Sequence, residues 1–211
     1  MLSDGGRKKF KKINREWEAL SQMENCNNNK KSILLPNPIT QVAGMPYALY
    51  LSLQGKYFLG ATDELEFGND KSAWAGLFNP NNSGVNLHVY FWQVANTGES
   101  PIRAQIWFNS QPSGNSIRVT TVTPSNTALC PPPKPRIGFF EAINVINEPL
   151  GGKKAFVRRA LPDVTVGDEE VGKFIFPPGG SFLIFLSNPE TPTQSAKATV
   201  GYAWWEEKIM C

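Results

Sequence analysis

Short stretches of alternating hydrophobic and polar residues, separated by turn residues, make up most of the chain from residue 47 onward. Successive side chains of a strand point to opposite faces, so such alternation predicts half-buried β-strands. The clearest example lies at residues 85–92. There the pattern places Val85, Leu87, Val89 and Phe91 on one face and Asn86, His88, Tyr90 and Trp92 on the other.

Eleven segments are strand candidates by this pattern or by composition, and turn residues such as those at 79–84, 112–115 and 177–180 separate them. Many short strands with Gly- and Pro-rich turns are typical of a sandwich or jelly roll. We therefore predict an all-β chain with a single β-sandwich or jelly-roll domain over residues 47–211. The candidates are Tyr47–Leu53, Lys56–Gly60, Glu64–Phe67, Val85–Asn96, Ile102–Asn109, Ser116–Thr123, Arg136–Ala142, Ala155–Arg159, Lys173–Phe176, Ser181–Ser187 and Ala196–Glu206.

The N-terminal 46 residues have a different character and are predicted to form an arm and linker. Within the arm, Phe10, Ile13, Trp17 and Leu20 recur at helical spacing, which predicts a short amphipathic helix at about residues 6–24. Because the apolar stripe is narrow and the charges are mixed, docking on protein is favoured over docking on lipid. The alternative is a frayed tail without a role.

Charge is distributed unevenly along the chain. Charged residues make up 18% of it, below the average near 25% for soluble domains, and the net charge is +3. Residues 1–31 carry eight Lys and Arg against four Asp and Glu, a net charge of +4, and the remainder carries a net charge of −1. A basic arm beside a near-neutral body argues against nucleic-acid binding. We also expect no membrane span and no secretory signal, because no apolar run is long enough.

Three cysteines, Cys26, Cys130 and Cys211, are candidates for inter-subunit disulfides. An odd number of cysteines permits intermolecular pairing, whereas three reduced thiols are the alternative in a cytosol. The cysteines form no C-x-x-C pair and the single His88 has no partner at metal-ligand spacing, so no metal site is expected.

The sequence shows no arrangement of residues that is typical of a catalytic site. His88 is interpreted as a satisfied sheet residue, and the acidic run at 168–170 as turn charge rather than a calcium site. Glu206 and Glu207 are neighbours on a strand and point to opposite faces, which argues against a carboxylate dyad between them. The alternative is that either one pairs with a carboxylate from elsewhere in the chain. We therefore expect no catalytic residue, no cofactor-binding residue and no cofactor.

Tryptophans carry two competing interpretations. They could form a sugar-stacking platform on the sandwich, or they could fill the core and a subunit contact, where each ring buries about 150–250 Å². Trp204 and Trp205 point to opposite faces, so one of them is expected to face outward. The residues concerned are Trp74, Trp92, Trp107, Trp204 and Trp205.

Several longer blocks resemble an uncharacterised domain family of spore-forming Firmicutes, over about Tyr57 to Glu207. More loosely, the plan resembles that of endospore-appendage (Ena) pilins, jelly-roll subunits whose N-terminal connector is fixed in preceding subunits by disulfides. This chain departs from the pilins in its length, in its basic helical arm and in having Cys26 instead of a cysteine pair near the start. The blocks are SAWAGLFNP at 72–80, SGVNL at 83–87, IWFNS at 106–110, TPSNTAL at 123–129, GKFIFPPGGSF at 172–182 and WWEE at 204–207.

Together these features favour a structural, self-assembling subunit of a bacterial surface fibre or layer, with copies of itself and other spore-surface proteins as partners. The resemblance implies a spore surface or extracellular appendage, with the cytoplasm as the alternative. The arm is expected to dock on an adjacent subunit through Phe10, Ile13, Trp17 and Leu20. The competing hypothesis is a carbohydrate-binding module that uses exposed tryptophans.

Overall fold

The computed structural model describes residues 44–209, which form one short helix followed by twelve strands. The helix, α1, spans Tyr47–Leu53. The strands are β1 (Tyr57–Ala61), β2 (Leu65–Gly68), β3 (Ser72–Phe78), β4 (Val85–Asn96), β5 (Ile102–Phe108), β6 (Ile117–Arg118), β7 (Thr123–Pro124), β8 (Gly138–Val145), β9 (Lys153–Ala160), β10 (Thr165–Phe176), β11 (Ser181–Ser187) and β12 (Ser195–Lys208).

The strands form two antiparallel sheets that pack face to face. The first sheet has the order β10-β4-β12-β1-β7, with β2 also paired to β12, and the second has the order β6-β8-β3-β11-β5-β9. Neighbours in both sheets come from distant parts of the chain, as in the central pairing of β4 with β12. The predicted all-β sandwich is confirmed, whereas the arm helix at 6–24 lies outside the described residues.

The core lies between the two sheets and is rich in aromatic side chains. Trp92 and Trp204 from the first sheet and Phe139 and Phe182 from the second are almost completely buried in it. Tyr202 of β12 also crosses the core, and its hydroxyl donates a hydrogen bond to the carbonyl oxygen of Ala75, 2.8 Å away in the second sheet. Burial raises the pKa of Tyr202 well above its ordinary value, so the hydroxyl stays neutral and keeps donating.

Replacing Tyr202 with phenylalanine is expected to lower the free energy of unfolding by about 1–2 kcal/mol, because it removes this one buried hydrogen bond between the sheets. Urea unfolding of the variant measures the loss. Tyr90→Phe is the matched control, since Tyr90 lies half-buried on the outside of the first sheet. Equal stability of Tyr202→Phe and the wild type would contradict the assigned role of the hydroxyl.

Two strand predictions are wrong, for opposite reasons. Residues Tyr47–Leu53 form α1 and not a strand: the N–H of Tyr50 donates to the carbonyl of Pro46, and the turn ends at Gly55 with φ of +67°. Conversely, β3 was not predicted. It is a central strand buried on both faces, so its sequence is a continuous apolar run without alternation.

The facing of β4 also differs from the prediction beyond Val89. The pairing of β4 with β12 shifts register between Ala203 and Trp204, which leaves Tyr90 as an extra residue. A β-bulge of this kind exchanges the two faces of a strand. Trp92 therefore points into the core and Phe91 points outward. In addition, β10 begins eight residues earlier than the predicted segment at 173–176, and only short pieces of 116–123 are strand.

Candidate interaction surface

The central part of the outer face of the first sheet carries few charged residues. Antiparallel sheets with one solvated face normally carry polar residues there. Three rows of paired residues run across this face from β1 through β12 and β4 to β10. They are Tyr57, Trp205, His88 and Ile175; Leu59, Ala203, Phe91 and Glu169; and Ala61, Gly201, Gln93 and Gly167.

Three residues of the first row have aromatic rings, and together with Tyr90 they form what we term the outer aromatic cluster, Tyr57, His88, Tyr90 and Trp205. The rings of His88 and Trp205 stack with centroids 4.9 Å apart, and Tyr90 lies 6.0 Å from Trp205 and 5.4 Å from Tyr57. Trp205 faces outward, as expected for one of the paired tryptophans, but it is only 5% exposed. Burial, together with Tyr90 and Glu169, raises the pKa of Tyr57, so its hydroxyl remains neutral.

An excursion of β10 covers this cluster. The register of β10 on β4 shifts between Glu169 and Phe174, and the extra residues fold over Trp205. Gly172 lies so close that a Cβ atom built on it would be 1.6 Å from the indole ring. Its carbonyl oxygen lies 3.2 Å from Nδ1 of His88. The excursion therefore forms a lid over Trp205 that only glycine permits at this position.

The structure places the other candidate chemical residues in structural roles. Both ring nitrogens of His88 have hydrogen-bonding partners: a carboxylate oxygen of Glu207 lies 3.0 Å from Nε2, and the carbonyl oxygen of Gly172 lies near Nδ1. This agrees with the interpretation of His88 as a satisfied sheet residue. In the acidic run at 168–170, Glu170 is buried, accepts a hydrogen bond from Nε1 of Trp92 at 3.1 Å and pairs with Lys173. No group of three or more potential metal ligands occurs among residues 44–209.

Glu206 and Glu207 point to opposite faces, as predicted. Glu206 is buried and accepts hydrogen bonds from the backbone N–H groups of Arg136 and Ile137, at 2.9 and 3.0 Å, and from Nε1 of Trp204 at 3.4 Å. Burial raises the pKa of the Glu206 carboxyl above its ordinary 4.5, and the N–H donors oppose that shift. This carboxyl joins the two residues that precede β8 to the end of β12.

Next to the aromatic cluster, the outer face opens into a shallow groove of about 500 Å³ that we term the outer groove. Its floor is low because Gly201 has no side chain and that of Ala203 is small. The Gln93 side chain lies over Gly201, about 3.1 Å from where a Cβ atom would be. Leu59 and Phe91 supply the apolar walls, and Leu59 is 40% exposed. No charged residue lines the groove, although Glu169 pairs directly with Phe91 beside it.

The outer face of the second sheet also carries apolar side chains, but there they are covered by another part of the chain. Trp74, Leu183 and Phe185 form an apolar cluster there, and it is buried. A loop of the chain itself covers this cluster. The backbone carbonyl of Ser113 accepts a hydrogen bond from Nε1 of Trp74 at 2.8 Å, and Gly114 packs against Val145. Within residues 44–209 the outer groove of the first sheet has no such covering loop.

Helix α1 continues the apolar surface beyond the aromatic cluster. Its Tyr47 ring meets Trp205 edge-on, with centroids 5.7 Å apart. Only Leu51 of the helix is buried. The other large apolar side chains of the helix, and Met45 just before it, are about half exposed: Met45, Tyr47, Leu49, Tyr50 and Leu53. Exposed apolar patches of this kind mark interaction sites more often than scattered single residues do.

The predicted site residues fall into two groups. Cys130 is exposed, on the loop between β7 and β8 that packs against Gly55 at the end of α1. The remaining candidates lie outside the described residues, namely Cys26, Cys211 and the docking residues Phe10, Ile13, Trp17 and Leu20. Their proposed roles stay predictions.

Four of the five tryptophans considered for sugar stacking are buried: Trp74, Trp92, Trp204 and Trp205. Trp107 is partly exposed, but Lys154 lies over its ring at 5.0 Å. The proposed platform of exposed tryptophans is therefore not formed by these residues. Sequence reasoning missed the outer groove, although β1 (YFLGA) gave a signal: it has no charged residue on either face.

Residues 30–211 match the model of a protein family described as a family of unknown function (DUF6143). The match covers most of the chain and begins after the predicted arm helix at 6–24. The chain belongs to the DUF6143 family. The prediction of an uncharacterised family is thereby confirmed for this DUF6143 protein. The comparison with curated proteins and the comparison with solved structures each found no match.

No helix among the described residues of the DUF6143 protein is both long enough and apolar enough to cross a membrane.

Proposed function

We propose that this protein is a structural subunit that assembles with copies of itself. The observation that carries the proposal is the open apolar surface formed by the outer groove and α1. Exposing Leu59 and the side chains of α1 to water is unfavourable, and a partner surface relieves that cost. A rigid two-sheet body is suited to bearing such a contact.

The arm supplies the second half of the proposed contact. Its apolar stripe of Phe10, Ile13, Trp17 and Leu20 complements an apolar acceptor surface on an adjacent copy. A head-to-tail contact of this kind joins different surfaces of the two copies, so it builds filaments when its rotation does not close. Cys26, Cys130 and Cys211 are the proposed covalent links, and the resemblance to spore proteins favours a spore surface or extracellular appendage with other spore-surface proteins as neighbours.

Deleting residues 1–31 is expected to leave the sandwich folded and to abolish assembly, because the deletion removes the docking stripe and Cys26. Negative-stain electron microscopy and circular dichroism of the deleted and full chains measure the two properties. Electrophoresis of the full chain with and without reductant tests the cysteines, and we expect a ladder that collapses on reduction. Normal assembly of the shortened chain would contradict the proposed role of the arm.

A further inference from the structure

We infer that the outer groove is the acceptor site for the arm of a second copy, and that the arm stripe around Trp17 is its occupant. This inference rests on the proposed function and adds a specific surface to it. The groove joins an aromatic surface at Trp205 to an open trough at Leu59, Phe91 and Gly201.

The shape of the groove fits an apolar helix stripe. The small side chain of Ala203 lies between the larger side chains of Leu59 and Phe91, so a bulky side chain can approach the sheet there. Helices pack on sheets through a stripe of large apolar residues, which the arm offers at positions 10, 13, 17 and 20. Because no charged residue lines the groove, an apolar side chain can bind there without leaving a charge unpaired.

Charge favours the arm over a second sandwich body as the occupant. The body is close to neutral with a net charge of −1, whereas residues 1–31 carry a net charge of +4. A carboxylate lies beside the groove, because Glu169 is exposed and pairs directly with Phe91. A basic helix is attracted to such a rim, whereas two equal grooves would bring Glu169 of both copies together.

The position of the chain entry agrees with this assignment. Forty-three residues precede the described part, which begins at Gly44, three positions before α1. Tyr47 of α1 contacts Trp205 on the same outer face as the groove. An arm leaving one copy at this face can reach the equivalent face of a neighbour, which is the connection that a growing chain of subunits needs.

The test uses full chains with one disabled surface each, held in reductant to exclude disulfides. Leu59→Glu places a charge in the groove, and Trp17→Glu places one in the arm stripe. Each variant alone is expected to associate about tenfold or more weakly than the wild type by sedimentation velocity. Ile117→Glu is the matched control, since Ile117 is 66% exposed on the other sheet and is expected to leave association unchanged.

Mixing the two variants gives the deciding result. The Leu59→Glu copy keeps an intact arm and the Trp17→Glu copy keeps an intact groove, so an arm-to-groove contact restores one interface and yields a 1:1 pair that grows no further. Recovery in the mixture also shows that the Trp17→Glu copy is folded, and circular dichroism shows whether the Leu59→Glu copy is folded. No recovery would overturn the arm as the occupant, because a contact between two grooves is not rescued by mixing.

Two other outcomes separate this inference from the proposed function. Leu59→Glu associating as strongly as Ile117→Glu would overturn the groove as the acceptor, while the proposed function would stand. A wild-type chain that stays monomeric at every concentration would overturn both. Leu59→Ala is a milder second variant, expected to weaken association less than Leu59→Glu without adding a charge to β1.

Discussion

Replacing Gly172 with alanine is expected to lower the free energy of unfolding by about 2–4 kcal/mol. Two costs combine. The residue has φ of +74°, which disfavours alanine, and the new Cβ would lie 1.6 Å from the Trp205 ring. Because that ring is stacked on His88, it cannot easily move aside, so the lid of β10 must lift.

Gly151→Ala is the matched control for this experiment. Gly151 has a similar φ of +64°, but a Cβ atom there would meet nothing within 4 Å. We expect it to cost only about 1 kcal/mol, from the backbone conformation alone. Urea unfolding gives both energies, and a red shift of tryptophan emission in Gly172→Ala reports solvent reaching Trp205. Equal losses in the two variants would contradict the lid.

Replacing Glu206 with alanine is expected to cost about 3–4 kcal/mol, because it leaves two backbone N–H groups just before β8 without an acceptor. Those groups belong to Arg136 and Ile137, and the N–H of Ile137 donates to Glu206 from a buried position. Glu206→Gln keeps one carbonyl oxygen for them and is expected to lose less. Urea unfolding at neutral pH ranks the three proteins, and an alanine variant as stable as the wild type would contradict the assignment.

The same carboxyl predicts a pH dependence with a definite sign. Since burial raises the pKa of Glu206 above 4.5, the folded protein binds its proton more tightly than the unfolded chain does. Its contribution to stability is therefore fully present below pH 4.5 and declines as the pH rises through the raised pKa. The stability difference between the wild type and Glu206→Gln is expected to fall over that window. A difference that rises with pH would contradict the sign.

Period-two alternation was enough to predict the sandwich and most of its strands. The pattern gave a wrong prediction where a bulge shifts the pairing of a strand or where a strand is buried on both faces. At Tyr90 the bulge exchanges the faces of β4, so Phe91 and Trp92 take each other's expected places. At β3 burial on both faces removes the alternation altogether. These two errors come from pairing between distant strands, which a pattern read along one strand does not contain.

The candidate surface was harder to predict than the fold. The sequence indicated an outward tryptophan at 204–205, and Trp205 does face outward, but the excursion at Gly172 covers it. The groove itself depends on Leu59, Phe91 and Gly201 coming side by side from three strands. Their sequence positions give no hint of that neighbourhood, because it is created by the order of strands in the first sheet.

The most direct measurement of the central claim is sedimentation velocity of the full chain in reductant over a wide range of protein concentration. We predict a weight-average mass that rises with concentration beyond that of one chain, and that remains at one chain when residues 1–31 are removed. A single species with the mass of one chain at every concentration, for both proteins, would contradict the account.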